Sequence, residues 1–417
     1  MPLALTAGDR AMLDGALGAG AELAMRVVTR TAEAMGAPAL LDIEGAHVDG
    51  CLYHGRAGLD FAERLASLGG SVRVTTTLNV GSLDLLHPDL VRLPADRASE
   101  ARRLMDAYVA LGCLPTWTCA PYQLPERPGV GAQLAWAESN AIVFANSVLG
   151  ARTERYGDFM DVCCAITGRA PAVGLHTDEG RRATLVVRVE GVSAELAEST
   201  AGLAALGHSL GSRIGQHVPA IVGLPPTLPE DGLKALGAAA ASSGAAALIH
   251  VVGSTPEAPV LEAVADRHLH ELTLGPDDLR AARDELTTGR DGEIGAVCLG
   301  TPHASVDELH ELARLIGEIG SPVVPCYVNT SRASLEALGG VAAVLQDAGV
   351  TVVTDTCTYV TPIVGGVDGA VMTDSAKWAW YAPGNLGFDV VFGTMTECVR
   401  SAASARVWRD EALWGPS

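Results

Sequence analysis

The chain has 417 residues, enough for two or three domains around a sizeable buried core. Hydrophobic residues make up 48%, which excludes wholesale disorder, and 49 acidic against 29 basic residues give a formal charge of −20. That surplus argues against nucleic acid or an anionic membrane as the main partner, while a few local cations would still suffice for a small anionic substrate.

The opening MPLALTAGDRAMLDG lacks the basic start and long apolar run of a signal peptide, so a cytoplasmic protein is expected. Nine cysteines in a reducing compartment are then metal ligands or core thiols, not disulfides. Over residues 7–36, Ala, Leu and Met recur at three- and four-residue spacing and predict a helix. Short β-like runs follow at 39–43 and 71–76, separated by an amphipathic helix over 58–70 that glycines close. Residues 95–112 predict another helix, which delivers the chain to CLPTWTCAPYQLP (113–125). Helical spacing over 132–150 places Glu138 and Asn146 on roughly one face, near a cavity or a domain interface.

A strand–helix–strand rhythm then sets in, with strands at 185–191, 220–224 and 245–251 and helices at 193–211 and 231–244. The uncharged stretch 235–254 is too rich in Ala, Gly and Ser for a membrane span and reads as a helix running into a strand. The alternation continues with strands at 295–300, 322–329 and 350–355 and a helix at 305–320. The expected fold is α/β with mixed, largely parallel sheets, in three regions at 1–185, 186–290 and 291–417. The G-x-G runs at 18–24 and 129–135 do not follow strands as dinucleotide binding requires.

Cys119, Cys298 and Cys357 each sit where an apolar run opens into a turn-forming loop. Three thiolates meeting at strand ends can hold an iron–sulfur cluster with one iron open to a substrate oxygen. The plainer reading is three inert core cysteines, as expected for Cys51, Cys113, Cys163, Cys164, Cys326 and Cys398. His303 and Ser305 occupy a loop before a helix, where His303 is a candidate for catalysis or ligation; Ser305 with Glu308 also makes an S-x-x-E capping box. Thr330, Ser331 and Arg332 follow a strand, and the arginine fork suits a carboxylate; a surface ion pair is the alternative. Lys377 lies among small and aromatic residues, desolvated enough to bind a carboxylate or move a proton, or else snorkelling past Trp378 and Trp380. Asn79, with Thr75, Thr76 and Thr77, offers uncharged donors at another strand end.

Longer words accompany these residues: HVDGCLYHGRAGLDFAERL (47–65), TTTLNVGSLDL (75–85), TWTCAPYQLP (116–125), AWAESNAIVFANSVLGARTERYGD (135–158), LGTPHAS (299–305), DTCTYVTPI (355–363) and SAKWAWYAPG (375–384). On these, the chain resembles the large, catalytic subunit of the aconitase X family over residues from about 10 to 400, most closely its cis-3-hydroxy-L-proline dehydratase branch. The resemblance implies an aconitase-like multi-domain arrangement around an iron–sulfur site in a cleft. It implies a hydro-lyase that dehydrates a small hydroxy acid, with mevalonate 5-phosphate as the alternative substrate and a cluster-less, non-enzymatic homologue as the alternative class. Cys119 and Cys357 fall within matching motifs and are expected metal ligands, with Cys298 as the third. Some family members carry a cysteine where this chain has Thr301, and asparagine is expected where it has Asp374. Lys377, His303 and Ser305 are expected to act in catalysis, and Asn79, Thr330, Ser331, Arg332, Glu138 and Asn146 to hold substrate. The family's swivel domain has no counterpart segment here, so a separate small swivel-domain subunit is the expected partner.

Overall fold

The structure, a computed structural model, describes residues 2–290 and 292–415. Two compact units emerge: one runs up to Leu83 and resumes over Leu93–Arg182, the other comprises Asp84–Arg92 and the chain from Ala183 onward.

In the first unit, strands β1 (Leu40–Asp42), β2 (Gly45–Val48), β3 (Thr75–Leu78), β4 (Leu134–Trp136) and β5 (Arg169–Pro171) form two sheets. Strands β3, β2 and β4 pair in parallel in that order, with Ala46 opposite both Thr76 and Ala135. Strands β1 and β5 pair antiparallel, and Arg169 on β5 fixes this corner with ion pairs to Asp9 at 2.9 Å and Asp42 at 2.5 Å. The expected helix over 7–36 is two helices, Ala7–Leu13 and Ala19–Ala34, because Gly15 and Gly18 adopt positive φ between them. Helices Arg56–Ser67 and Ala95–Ala110 lie where expected. The expected helix over 132–150 is instead β4 followed by helix Ser139–Ser147. All three residues of β4 are buried, so the strand lacks the in–out alternation that separates strand from helix in sequence.

The second unit holds two parallel sheets. Strands β6 (Ala183–Val189), β7 (Pro219–Val222), β8 (His250–Val251) and β9 (Ala265–Leu274) pair in the order β8–β7–β6–β9. Helices Thr200–Ile214 and Glu230–Ser243 belong to this half and approach backbone to backbone. A Cβ on Gly207 would lie 2.2 Å from the Leu236 carbonyl oxygen, so only glycine fits there. The stretch 235–254 is thus the end of a 14-residue helix leading to β8, and among the described residues no helix is long and apolar enough to cross a membrane.

Strands β10 (Ile294–Ala304), β11 (Cys326–Thr330), β12 (Val350–Val353), β13 (Ala370–Thr373) and β14 (Val390–Phe392) form a five-stranded parallel sheet ordered β12–β11–β10–β13–β14. Its core packs Leu309 and Leu312 of helix Val306–Ile319 against Val328, Val352 and Met372. Strands β9, β13 and β14 escape the sequence reading; the last two are short, fully buried runs with no alternation.

Candidate active site

The carboxyl ends of β10, β11 and β12 carry the polar residues of the second unit, as parallel strands do. Gly300 has φ 75°, and a Cβ there would fall 2.3 Å from the Asn329 carbonyl oxygen, so the LGTPHAS turn presses onto β11. Asn329 ties the region together. Its Nδ2 donates to the Leu299 carbonyl (2.9 Å) and to the hydroxyls of Thr301 (3.2 Å) and Thr358 (3.1 Å), while its Oδ1 accepts the Thr358 N–H (2.9 Å). Thr358 in turn accepts the Trp378 indole N–H at 3.0 Å. The loop after β12 is therefore held rigidly, and it contains Cys357.

His303 and Cys357 are fully buried and bring their ligand atoms within 4.8 Å of one another. His303 Nε2 lies 3.1 Å from the Thr356 carbonyl, to which it donates in the neutral ring; Nδ1 is then the acceptor nitrogen. An imidazole oriented by a backbone carbonyl beside a thiol is a donor set that suits a soft or borderline metal. Cys298 lies inside the ladder, opposite Tyr327, because β10 continues past it to Ala304. Its Sγ does not join His303 and Cys357 within that distance. Burial pushes its thiol up, and the Thr358 hydroxyl beside it opposes that shift.

The remaining expected residues of this unit take these positions. Thr330 donates to the Ala304 carbonyl at 2.8 Å and joins β11 to the end of β10. Ser331 caps helix Arg332–Leu338, accepting the Ser334 N–H at 3.0 Å. Arg332 donates from Nε and Nη2 to the two oxygens of Asp355, each at 2.6 Å, and this bond raises its already high pKa further. Ser305 forms the capping box with Glu308 and donates to Asp231 at 2.7 Å. Asp231 and Glu308 both pair with buried Lys234, at 2.8 and 2.5 Å. Lys377 opens helix Ala376–Leu386 with only 3% exposure, its ammonium 5.9 Å from the centre of the Tyr359 ring.

In the first unit, the carboxyl ends of β3, β2 and β4 deliver Asn79, Asp49 and Glu138. Asn79 donates from Nδ2 to Asp49. Glu138 caps helix Ser139–Ser147 and accepts the Ala141 N–H at 2.9 Å. Asn146 is fully buried and exchanges hydrogen bonds with the Thr153 backbone at 2.9 and 3.0 Å, an architectural arrangement. Cys119 is buried in a loop whose Thr118 N–H donates to the Leu78 carbonyl (3.0 Å) and whose Cys119 carbonyl accepts from Asn140 (3.0 Å). Burial raises the Asp49 carboxyl well above its ordinary value, and Glu138, Asp158 and Asp161 add to the effect. Asp161, nearby, is raised by burial to about 7. Sequence reasoning passes over Asp49, Asp355 and the linking role of Asn329. The one available signal for Asp49 is the DG pair closing the apolar run before it.

Family models described as the first, second and third domains of aconitase X match residues 2–179, 183–284 and 294–404. A cis-3-hydroxy-L-proline dehydratase of Pseudomonas aeruginosa is 44% identical, the match covering 96% of this chain and 70% of that one. A protein of the same name from Hypocrea jecorina is 40% identical over 96% and 69%. The phosphomevalonate dehydratase large subunit of Methanothermobacter thermautotrophicus is 38% identical over 94% and 97%. The crystal structure of Thermococcus kodakaraensis aconitase X in its holo-form superposes with a TM-score of 0.86 at 32% identity, covering 96% of this chain and all of that one.

Proposed function

The chain belongs to the aconitase X family and is a hydro-lyase of that type, and from this we propose that it dehydrates cis-3-hydroxy-L-proline in the cytoplasm with the help of an iron–sulfur cluster. The substrate rests on the relatives: the two hydroxyproline dehydratases are 44% and 40% identical across 96% of this chain. The cluster rests on the buried His303–Cys357 pair at the carboxyl edge of a parallel sheet. The donor chemistry fits, with a thiol and an oriented imidazole acceptor.

Cys119 and Cys357 would hold the cluster as thiolates, with Cys298 as the expected third ligand and His303 as its rival. A bound cluster supplies Lewis acidity toward the substrate hydroxyl oxygen. Lys377, a buried ammonium, holds the substrate carboxylate and steadies the charge that develops next to it. Arg332 already spends its fork on Asp355 and orients that carboxylate. Loss of the proton beside the carboxylate and of the 3-hydroxyl, together as water, gives an enamine that tautomerises to a cyclic imine carboxylate. A small swivel-type subunit is the proposed partner, excluding water and completing the proton-transfer set.

The test is anaerobic purification with and without a co-expressed small subunit, followed by dehydration assays on cis-3-hydroxy-L-proline and on mevalonate 5-phosphate. The hydroxyproline should be turned over and the phosphate ester should not; the reverse preference would overturn the substrate. Cys119→Ser and Cys357→Ser should each lose most of their iron. Full iron content in both refutes the ligand assignment, and iron retained by Cys298→Ser but lost by His303→Ala assigns the remaining ligand to His303.

A further inference from the structure

The carboxyl edge of the first unit's parallel sheet has a chemistry that the proposed reaction has not used. Strands β3 and β2 end on Asn79 and Asp49, side by side. Asn79 is 2% exposed, gives its N–H to Asp49, and leaves its carbonyl oxygen Oδ1 buried with no hydrogen-bond partner. A buried acceptor without a donor is costly, and natural structures keep few of them. Asp49 is partly exposed at the same edge. Its surroundings are anionic: Asp158, Asp161 and Glu138 all face it, and its own N–H donates to Asp161 at 2.8 Å. Among the described residues no ion pair reaches it. Two acceptors, one of them a carboxyl that a bound cation would let ionise, therefore sit together where parallel sheets bind ligands.

A cation with two N–H donors matches this pair, and a phosphate ester does not. The ring nitrogen of a 3-hydroxyproline is a secondary ammonium with two N–H bonds. We propose that Asp49 and the Oδ1 of Asn79 form the receptor for this ammonium, Asp49 as counter-ion and Asn79 as second acceptor. The assignment rests on the reading of the substrate as an imino acid and deepens it. It makes Asp49 a specificity-determining residue that selects cyclic amino acids over phosphorylated hydroxy acids of the same reaction class. The negative field of Glu138, Asp158 and Asp161 favours the cation further and opposes any anion at this edge.

The experiment compares cis-3-hydroxy-L-proline with its carbocyclic analogue, cis-2-hydroxycyclopentanecarboxylate, in which a methylene replaces the ring nitrogen. Calorimetry on the full chain measures binding of each ligand to the wild type and to Asp49→Asn. The wild type should prefer the imino acid by about 10²-fold, the effect of one hydrogen-bonded charge pair, and Asp49→Asn should erase most of that preference while leaving the carbocycle's affinity unchanged. Equal wild-type affinity for the two ligands, or no binding of either, overturns the proposal whatever the variant does. A variant that loses both ligands equally also overturns it, since Asp49 would then act on the fold or on a group common to both. Dehydration assays judge the substrate reading separately: turnover of other 3-hydroxy acids alone would refute that reading, while the binding ratio still decides the ammonium site.

Discussion

Burial sets the protonation of His47. Its ring is fully enclosed on β2, with Nδ1 2.8 Å from the Thr77 hydroxyl and the Trp136 ring 5.9 Å away. Desolvation lowers its pKa from 6.5 to about 3. Between those values the unfolded chain binds a proton that the folded chain refuses, so stability rises with pH there. The contribution of His47 is complete above 6.5 and is lost progressively as pH falls toward 3. Asp161, raised to about 7, works in the opposite sense, so the effect of His47 must be isolated by difference. His47→Gln should flatten the acid limb of a urea-unfolding pH series by up to about 1.4 kcal/mol per pH unit relative to wild type. Identical slopes in the two proteins would show that the histidine is charged inside the fold.

At the level of the element, helices Thr200–Ile214 and Glu230–Ser243 meet along glycines. Gly211 repeats the contact of Gly207 one turn on, its Cβ position 2.4 Å from the Ala240 carbonyl oxygen. At both positions a backbone carbonyl oxygen stands in the way, so the backbones must part to admit a methyl group. Gly207→Ala should therefore cost about 1–3 kcal/mol despite the better helix propensity of alanine, read as a drop in the thermal midpoint. An unchanged or raised midpoint would mean that the helices slide apart without loss.

Helix Ala95–Ala110 announces itself by its period, and Val306–Ile319 by its period and its capping box. Strand β4 does not, because burial on both faces removes its alternation. His303 and Cys357 were legible from distinctive words around them. The linking role of Asn329 has no local signal, because its partners Leu299, Thr301 and Thr358 lie 28 to 30 positions away and no local pattern connects them. Arg332 reads in the sequence as a fork for a carboxylate; the carboxylate it meets in the fold, Asp355, lies 23 positions away and has the same long-range origin.

The whole molecule is divided differently from its sequence. Residues Asp84–Arg92 belong to the second unit although the first unit's chain flanks them on both sides. Asp84 is buried and accepts the Thr354 N–H and hydroxyl at 2.9 and 3.0 Å; the Leu85 N–H donates to Asp355 at 3.0 Å, and the Arg92 N–H to the Pro362 carbonyl at 3.0 Å. Both sides of the Cys357 loop thus lean on a borrowed strap. A fragment of residues 183–417 should fold poorly or leave that loop open to protease, and a synthetic peptide of residues 84–92 added in trans should restore protection; a fragment that resists protease fully without the peptide would refute this.

The Asp84–Arg92 strap also constrains how such a gene can be rearranged. A break or crossover at the junction after Arg182 looks clean on the linear map but transfers half of a loop's supports to the wrong offspring. Recombinants between diverged relatives should survive only when the short internal strap and the distant loop are inherited from the same parent, so these two stretches form one unit of heredity across 262 intervening residues of coding sequence, counted from Arg92 to Asp355.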